Sequence, residues 1–470
     1  MQKQRRRCGC SVVLVVCIIL TMNPIAEAQQ QQIPSAPITL AQAVESALRN
    51  YPAISVSQEQ VNAAAAGIDL ARTAYLPRVD SLFQVNRATR NNVFGLLFPQ
   101  SVIPSISGPV LGSNNSSSVW GSAIGGLVTW EPFDFGLRRA SVAAATASRT
   151  RSEAALKRTQ FDVAAAAADA YLTLAAAQET VRAAQAGVDR ADVLVRSVRA
   201  LVDAQLRPGA EQSRAEAERA AAQTQVARAQ QAAEVARAVL AQFVGADPRQ
   251  ITLAAPKLLQ LPPGQTAPRL NTAANPVAVE QNAAVAQAKA QLDILDKSYV
   301  PRFFAQGAAY ARGTGARVDG TRLEGFNALS PDVQNYALGF SLTFPIFDLP
   351  SIRAKQAGQS ATLRAETARY QQVTTDLTAR WNEAAAILDG SRKIAADTPV
   401  QVSAANAATR QATARYQSGL GNIVEVADAQ RLLTQAEIDD ALARLGVWRA
   451  KLGVAIAAGD IQPFLTEAGQ

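Results

Sequence analysis

A few carboxylates and one phenol stand where their spacing lets them act. Glu425 and Asp428 are three residues apart, just after Ser418-Gly419-Leu420-Gly421-Asn422, and that spacing puts them on one helix face. Glu211 holds the equivalent place after Leu206-Arg207-Pro208-Gly209, and Tyr416 precedes the second of these turns. Acids on one face attract cations or bind them through oxygen. Acids in a first helical turn also complement the partial positive charge there, with no further role. Gly and Pro at a chain reversal likewise satisfy ordinary turn chemistry.

Most other site chemistry is excluded. The chain has no histidine, and its three cysteines, Cys8, Cys10 and Cys17, lie near the N-terminus. A metal site would need oxygen ligands alone, and no metal or cofactor motif is present. No serine or lysine has an organised partner for nucleophilic catalysis, so an enzyme is not expected. The formal charge of +8 is partly carried by Lys3, Arg5, Arg6 and Arg7. No later Lys/Arg cluster is interleaved with aromatics, so nucleic acid is not an expected partner.

Those first basic residues precede an apolar run at 12–20 and then Ala26-Glu27-Ala28. This is the pattern of a cleaved export signal covering residues 1–28. The run is too short to span a bilayer. Cys17 lies inside it with apolar neighbours, so it is not placed for lipid attachment.

The elements that position the acids occur twice. After a short helix opening at Thr39-Leu40, a second helix runs to Tyr75-Leu76-Pro77-Arg78, and alternation then predicts strands at about 78–90 and 119–130. A Gly-, Pro-, Ser- and Asn-rich loop separates them. The second strand ends at Pro132-Phe133-Asp134-Phe135-Gly136 and opens a long Ala-rich helix. The turn at 206–210 then sends a second helix back. Tyr299-Val300-Pro301-Arg302, strands at about 302–312 and 335–345, and Pro345-Ile346-Phe347-Asp348-Leu349-Pro350 repeat the order. From there Phe133/Phe347, Asp134/Asp348, Leu206/Leu420, Glu211/Glu425 and Gly245/Gly459 keep one constant offset, which indicates duplication. The predicted organisation is a leader at 1–28, repeats at 29–247 and 272–459, a Pro-rich linker at 248–271 and a tail at 460–470.

The strands show one apolar, aromatic face and one mainly small and polar face. That suits lipid outside and water inside, but four strands are too few for a closed membrane barrel. An open edge cannot face lipid, so several chains must pool their strands; three copies would supply twelve. The long Ala-rich hairpins bury little area alone and call for side-by-side packing. Trp120, Trp130, Tyr336 and Phe344 are candidates for interfacial girdles or for packing between strands. Pro132, Gly136, Pro345 and Pro350 mark the strand-to-helix junctions, where proline would end the ladder.

The paired strand starts, the Pro-Phe-Asp-Phe-Gly and Pro-Ile-Phe-Asp-Leu strand ends, and the stretch at 416–429 resemble the TolC family of outer-membrane channels. The resemblance spans nearly all of 39–459. It implies a homotrimer with a twelve-stranded β-barrel in the outer membrane, joined to an α-helical barrel in the periplasm. It further implies an exit duct for an efflux pump or type I secretion system, working with an inner-membrane transporter and a periplasmic adaptor. Glu425, Asp428 and Glu211 would then line the periplasmic aperture. The turn residues Leu206, Arg207, Gly209, Ser418, Gly419, Leu420 and Gly421 would meet the adaptor. Relatives hold the mouth shut with a Tyr, matched by Tyr416, and a basic residue; that position reads Gly421 here, and Arg207 in the first turn is its candidate substitute. The alternative is a periplasmic coiled-coil scaffold or adaptor with a soluble β-domain.

Overall fold

The computed structural model describes residues 37–89, 117–254, 257–262, 270–315, 317, 321, 323, 325–326, 329–344 and 346–469. The expected leader, most of the first inter-strand loop and Pro345 lie outside them.

The described elements run α1 (Leu40–Asn50), α2 (Pro52–Thr73), β1 (Arg78–Thr89), β2 (Ser118–Phe133), α3 (Leu137–Asp203) and α4 (Gly209–Val244). They continue as α5 (Pro276–Asp296), β3 (Arg302–Thr314), β4 (Val333–Thr343), α6 (Leu349–Gln417), α7 (Ile423–Ala458) and α8 (Gln462–Gly469). Each repeat is therefore helix, strand, strand, long helix, shorter helix. The local signals match this order. Thr39 and Gln42 form a reciprocal capping box that starts α1. Pro52 and Pro276 stand in the first turns of α2 and α5, where a missing N–H costs nothing. Gly245 and Gly459 end α4 and α7 in the left-handed conformation.

The strands form one antiparallel sheet in the order β1-β2-β3-β4. Arg78 pairs with Thr129 in the first hairpin, and their repeat equivalents, Arg302 and Thr343, pair in the second. The duplication thus fixes hairpin register as well as element order. Val79, Phe83, Val85, Ile124, Val128, Trp130, Tyr336, Leu338, Phe340 and Leu342 are exposed, and the register places them on one face. The other face carries Gln84, Asn86, Gln306 and Ser341 around a small cluster of Ala123, Leu127, Ala308 and Tyr310.

β2 runs through Pro132 to Phe133, so this proline does not end the strand. The β2–β3 register shifts between Trp130 and Phe133. Proline is tolerated there because a bulged residue owes the ladder no N–H.

α3 and α6 have 67 and 69 residues, rods on the order of 100 Å at ~1.5 Å per residue. α3 packs against α4 and α6 against α7, and α3 also touches α7, so the two hairpins of a chain lie side by side. The buried stripe of α3 is mostly alanine, including Ala164, Ala165, Ala167, Ala168 and Ala175, which permits close approach. Gly187 sits so near Thr434 of α7 that an added Cβ would come 2.9 Å from its hydroxyl. Arg190 of α3 adds a two-pronged bond to Glu437 of α7 at 2.7 and 3.0 Å. Among the described residues no helix is long and apolar enough to cross a membrane.

Candidate functional site

Both long hairpins reverse by the same backbone device. The Leu206 N–H donates to the Leu201 carbonyl and the Gln205 N–H to that of Val202, both at 2.8 Å. At the second tip Leu420 donates to Arg415 at 2.8 Å and Gly419 to Tyr416 at 3.1 Å. These are paired Schellman closures, which need a left-handed residue between helix and turn. Gly419 fills that place at φ 78°, and Gln205 fills it at φ 60°. Pro208 then precedes α4, and Asn422 caps α7 by accepting the Glu425 N–H at 2.9 Å.

A cluster beneath these turns ties one hairpin to the other. Tyr416 is only 2 % exposed, packed with Leu194, Val198, Ala215, Ile423 and Val426. Its hydroxyl donates to Glu211 Oε2 at 2.6 Å. The Arg207 guanidinium lies 4.8 Å from the Tyr416 ring centre, donates to the Tyr416 carbonyl at 3.1 Å, and stands 3.7 Å from Glu211. Burial pushes the Tyr416 phenol up to about 12, helped by its bond to Glu211 and the carboxylate's charge, with Arg207 acting against them. At neutral pH it is an un-ionised donor. Arg207 therefore turns inward onto Tyr416, and Glu211 lies beneath the turn as the phenol's acceptor.

The other acids sit in more open places. Glu425 lies 3.6 Å from Arg415, and Asp428 lies 2.7 Å from Arg431, which also reaches Glu218 of α4 at 3.2 Å. Sequence reasoning missed both arginine partners: the i,i+3 spacing of Asp428 and Arg431 was a signal for one, whereas Arg415 lies across the turn from Glu425 and has no such spacing. Leu206 and Leu420, at equivalent positions, are 69 % and 73 % exposed. Gly209, Ser418 and Gly421 lie in or beside the turns; Gly421 is packed against the Arg415–Tyr416 backbone.

At the far end of α3, Asp134 receives the Gly136 N–H at 3.3 Å and also the Arg138 N–H. It pairs with the Arg138 guanidinium at 3.1 Å, and both side chains are nearly buried. Arg138 also lies over the Tyr75 ring at 4.8 Å and donates to the Ala74 carbonyl at 3.2 Å. Burial pushes the Asp134 carboxyl up, but these N–H and guanidinium contacts outweigh it and hold it below the usual range. Gly136 turns the chain at φ 98°. Pro350 stands in the first turn of α6. Trp130 and Phe344 lie at this end of the sheet, with the Trp130 ring N–H donating to Tyr75 O at 3.2 Å; Trp120 and Tyr336 lie farther along the strands. Among the described residues no cluster of acids could hold a metal.

An antiparallel sheet with one aromatic outer face, continuing directly into two rods on the order of 100 Å, defines a subunit of a membrane barrel with a helical extension. The outer membrane efflux protein family matches residues 43–246 and 270–460, and the chain belongs to it. The resemblance read from the duplicated motifs is borne out. The fold is similar to the outer-membrane channel OprN, with 22% identity, 89% of each chain covered and a TM-score of 0.69. It is similar to the Campylobacter jejuni CmeC outer membrane channel, with 15% identity, 89% of this chain and 85% of that one covered, and a TM-score of 0.72. The open state of the Neisseria gonorrhoeae MtrE outer membrane channel matches with 20% identity, 90% and 89% coverage and a TM-score of 0.70. No curated protein matches the chain. The protein is thus an outer-membrane efflux channel, mainly helical, with a large periplasmic part.

Proposed function

We propose that three copies form the working duct, with twelve strands pooled into one barrel and six helical hairpins into one periplasmic tunnel. The observation that carries this reading is the sheet itself. Among the described residues it has four strands, with β1 and β4 at its edges, and an apolar outer face. Such edges cannot stand in lipid, so the barrel must be closed by other copies. The duct passively conducts substrates delivered by an inner-membrane transporter and a periplasmic adaptor, and performs no chemistry. The family supports an efflux channel over a soluble scaffold.

Glu425 and Asp428 line the aperture in this reading, and the exposed Leu206 and Leu420 at the tips offer the adaptor an apolar contact. Tyr416, Glu211 and Arg207 form the lock that holds neighbouring hairpins together. Reconstitution tests the duct. Purified protein should remain with carbonate-washed membranes, run as a trimer when unheated, and give discrete cation-preferring conductance in planar bilayers. A monomer that carbonate releases and that conducts nothing would sink this reading.

A further inference from the structure

The chain's own β2–β3 contact is a seam between repeats. In a ring of copies, the remaining seam of the same kind joins β4 of one copy to β1 of the next. β1 is equivalent to β3 and β2 to β4, and the two hairpins share one register. On the trimeric reading above, we propose that β4 pairs with β1 of the adjacent copy in the register set by the β2–β3 seam, Ser341 opposite Gln84, through a ladder and apolar side chains without an ion-pair clamp.

The register is obtained by carrying each observed pair to its repeat equivalents. Leu127 opposite Ala308 becomes Ser341 opposite Gln84. Gly126 opposite Ala309 becomes Phe340 opposite Val85, and Val128 opposite Gly307 becomes Leu342 opposite Phe83. Burial supplies an independent check. Phe83, Val85, Phe340 and Leu342 are all exposed, while Gln84 and Ser341 are half-buried on the other face. The transferred pairing sets outward residues against outward ones throughout. A slip of one residue would set each outward side chain against an inward one.

The two seams differ in chemistry. Within the chain, Arg302 is clamped to Glu131 by two bonds of 2.8 Å. The equivalent positions between copies are Arg78 and residue 345, a proline with no acid to offer. Arg78 instead holds its own neighbour Asp80 at 2.9 Å. The outer face compensates. Inside the chain, Val128 and Trp130 lie against Gly307 and Ala305. Between copies, Leu342 meets Phe83 and Phe340 meets Val85, aromatic and branched pairs that favour strand association.

Cysteine crosslinking tests the register. The native cysteines are confined to positions 8, 10 and 17, so an introduced pair supplies the thiols of the folded part. Ser341→Cys with Gln84→Cys, oxidised in outer membranes, should give a covalent ladder ending at three copies on denaturing gels. Thr343→Cys with Leu82→Cys, in the same register, should do the same. Ser341→Cys combined with Leu82→Cys or Asn86→Cys is slipped by two residues, a diagonal of ~7–8 Å that should crosslink on the order of tenfold less. A stronger ladder from a slipped pair overturns the register. So does the absence of any ladder in protein that still migrates as a trimer from washed membranes. Monomeric protein released by carbonate would instead defeat the trimeric reading beneath it.

Discussion

The Tyr416 hydroxyl joins the two hairpins of one chain at their tips, because its acceptor, Glu211, belongs to the other hairpin. A hydrogen bond to a charged group contributes about 1.5–3 kcal/mol. Tyr416→Phe keeps the ring under Arg207 but loses this bond, and should raise single-channel conductance. Unchanged conductance would leave Tyr416 a packing role alone. The phenol's pKa is raised from its ordinary 10.0 to about 12, so its contribution is complete below pH 10 and lost as pH climbs through about 12. The Tyr416–Glu211 bond should hold through neutral pH and weaken as pH climbs through about 12, a limb of the conductance–pH profile that Tyr416→Phe abolishes. In the proposed aperture Glu425 and Asp428 would act through charge, and each lies close to one arginine. Exposed pairs of this kind are worth ~0–1 kcal/mol, so the joint change to alanine should leave folding intact. It should lower cation selectivity in bilayers; equal selectivity would remove these acids from the constriction.

At the scale of elements, the reversals and junctions rest on single left-handed residues. Gly136 has nothing within 4 Å of an added Cβ, so Gly136→Ala tests conformation without a clash. Its φ of 98° should make the change cost about 1–2 kcal/mol, read as a lower melting temperature in detergent. Gln205 holds the same kind of position without being glycine. Gln205→Gly should therefore stabilise the first tip by roughly 0.5–1 kcal/mol. The two substitutions must shift melting in opposite directions if backbone strain is the cause. The sharp ends of the elements were legible for a related reason. Pro52, Pro276, Gly245 and Gly459 act through their own backbones, so they signal locally. Pro132 was harder to read, because whether proline ends a strand or sits in a bulge depends on the partner strand.

For the whole molecule, the two faces of the sheet carry the membrane argument. Phe340 is exposed on the apolar face, and Ser341 is its inward neighbour. A charge at the bilayer midplane costs ~2–4 kcal/mol on the lipid side of a barrel. Phe340→Arg should sharply reduce assembled protein in the outer membrane, whereas Ser341→Arg should assemble and alter conductance instead. Equal loss from both would mean that the faces are not lipid and water. Alternation in β4 makes this division visible in the sequence alone, since a period of two is a property of the strand itself.

The sequence by itself determined the duplication, the order of elements, the two-faced strands and the positions of the helical reversals. All of these follow from local backbone preference and from periodicity along one chain. Only the tertiary structure decided what each side chain meets. Arg207 lies in a turn yet folds inward over Tyr416; Glu211 answers that phenol; Asp134 and Arg138 close the junction; Arg190 reaches Glu437 across the hairpins. These partners are distant in sequence, or separated by a turn whose geometry sets their direction. The pairing of Tyr416 with Glu211 and of Arg190 with Glu437 depends on how the two hairpins pack, which no local pattern encodes.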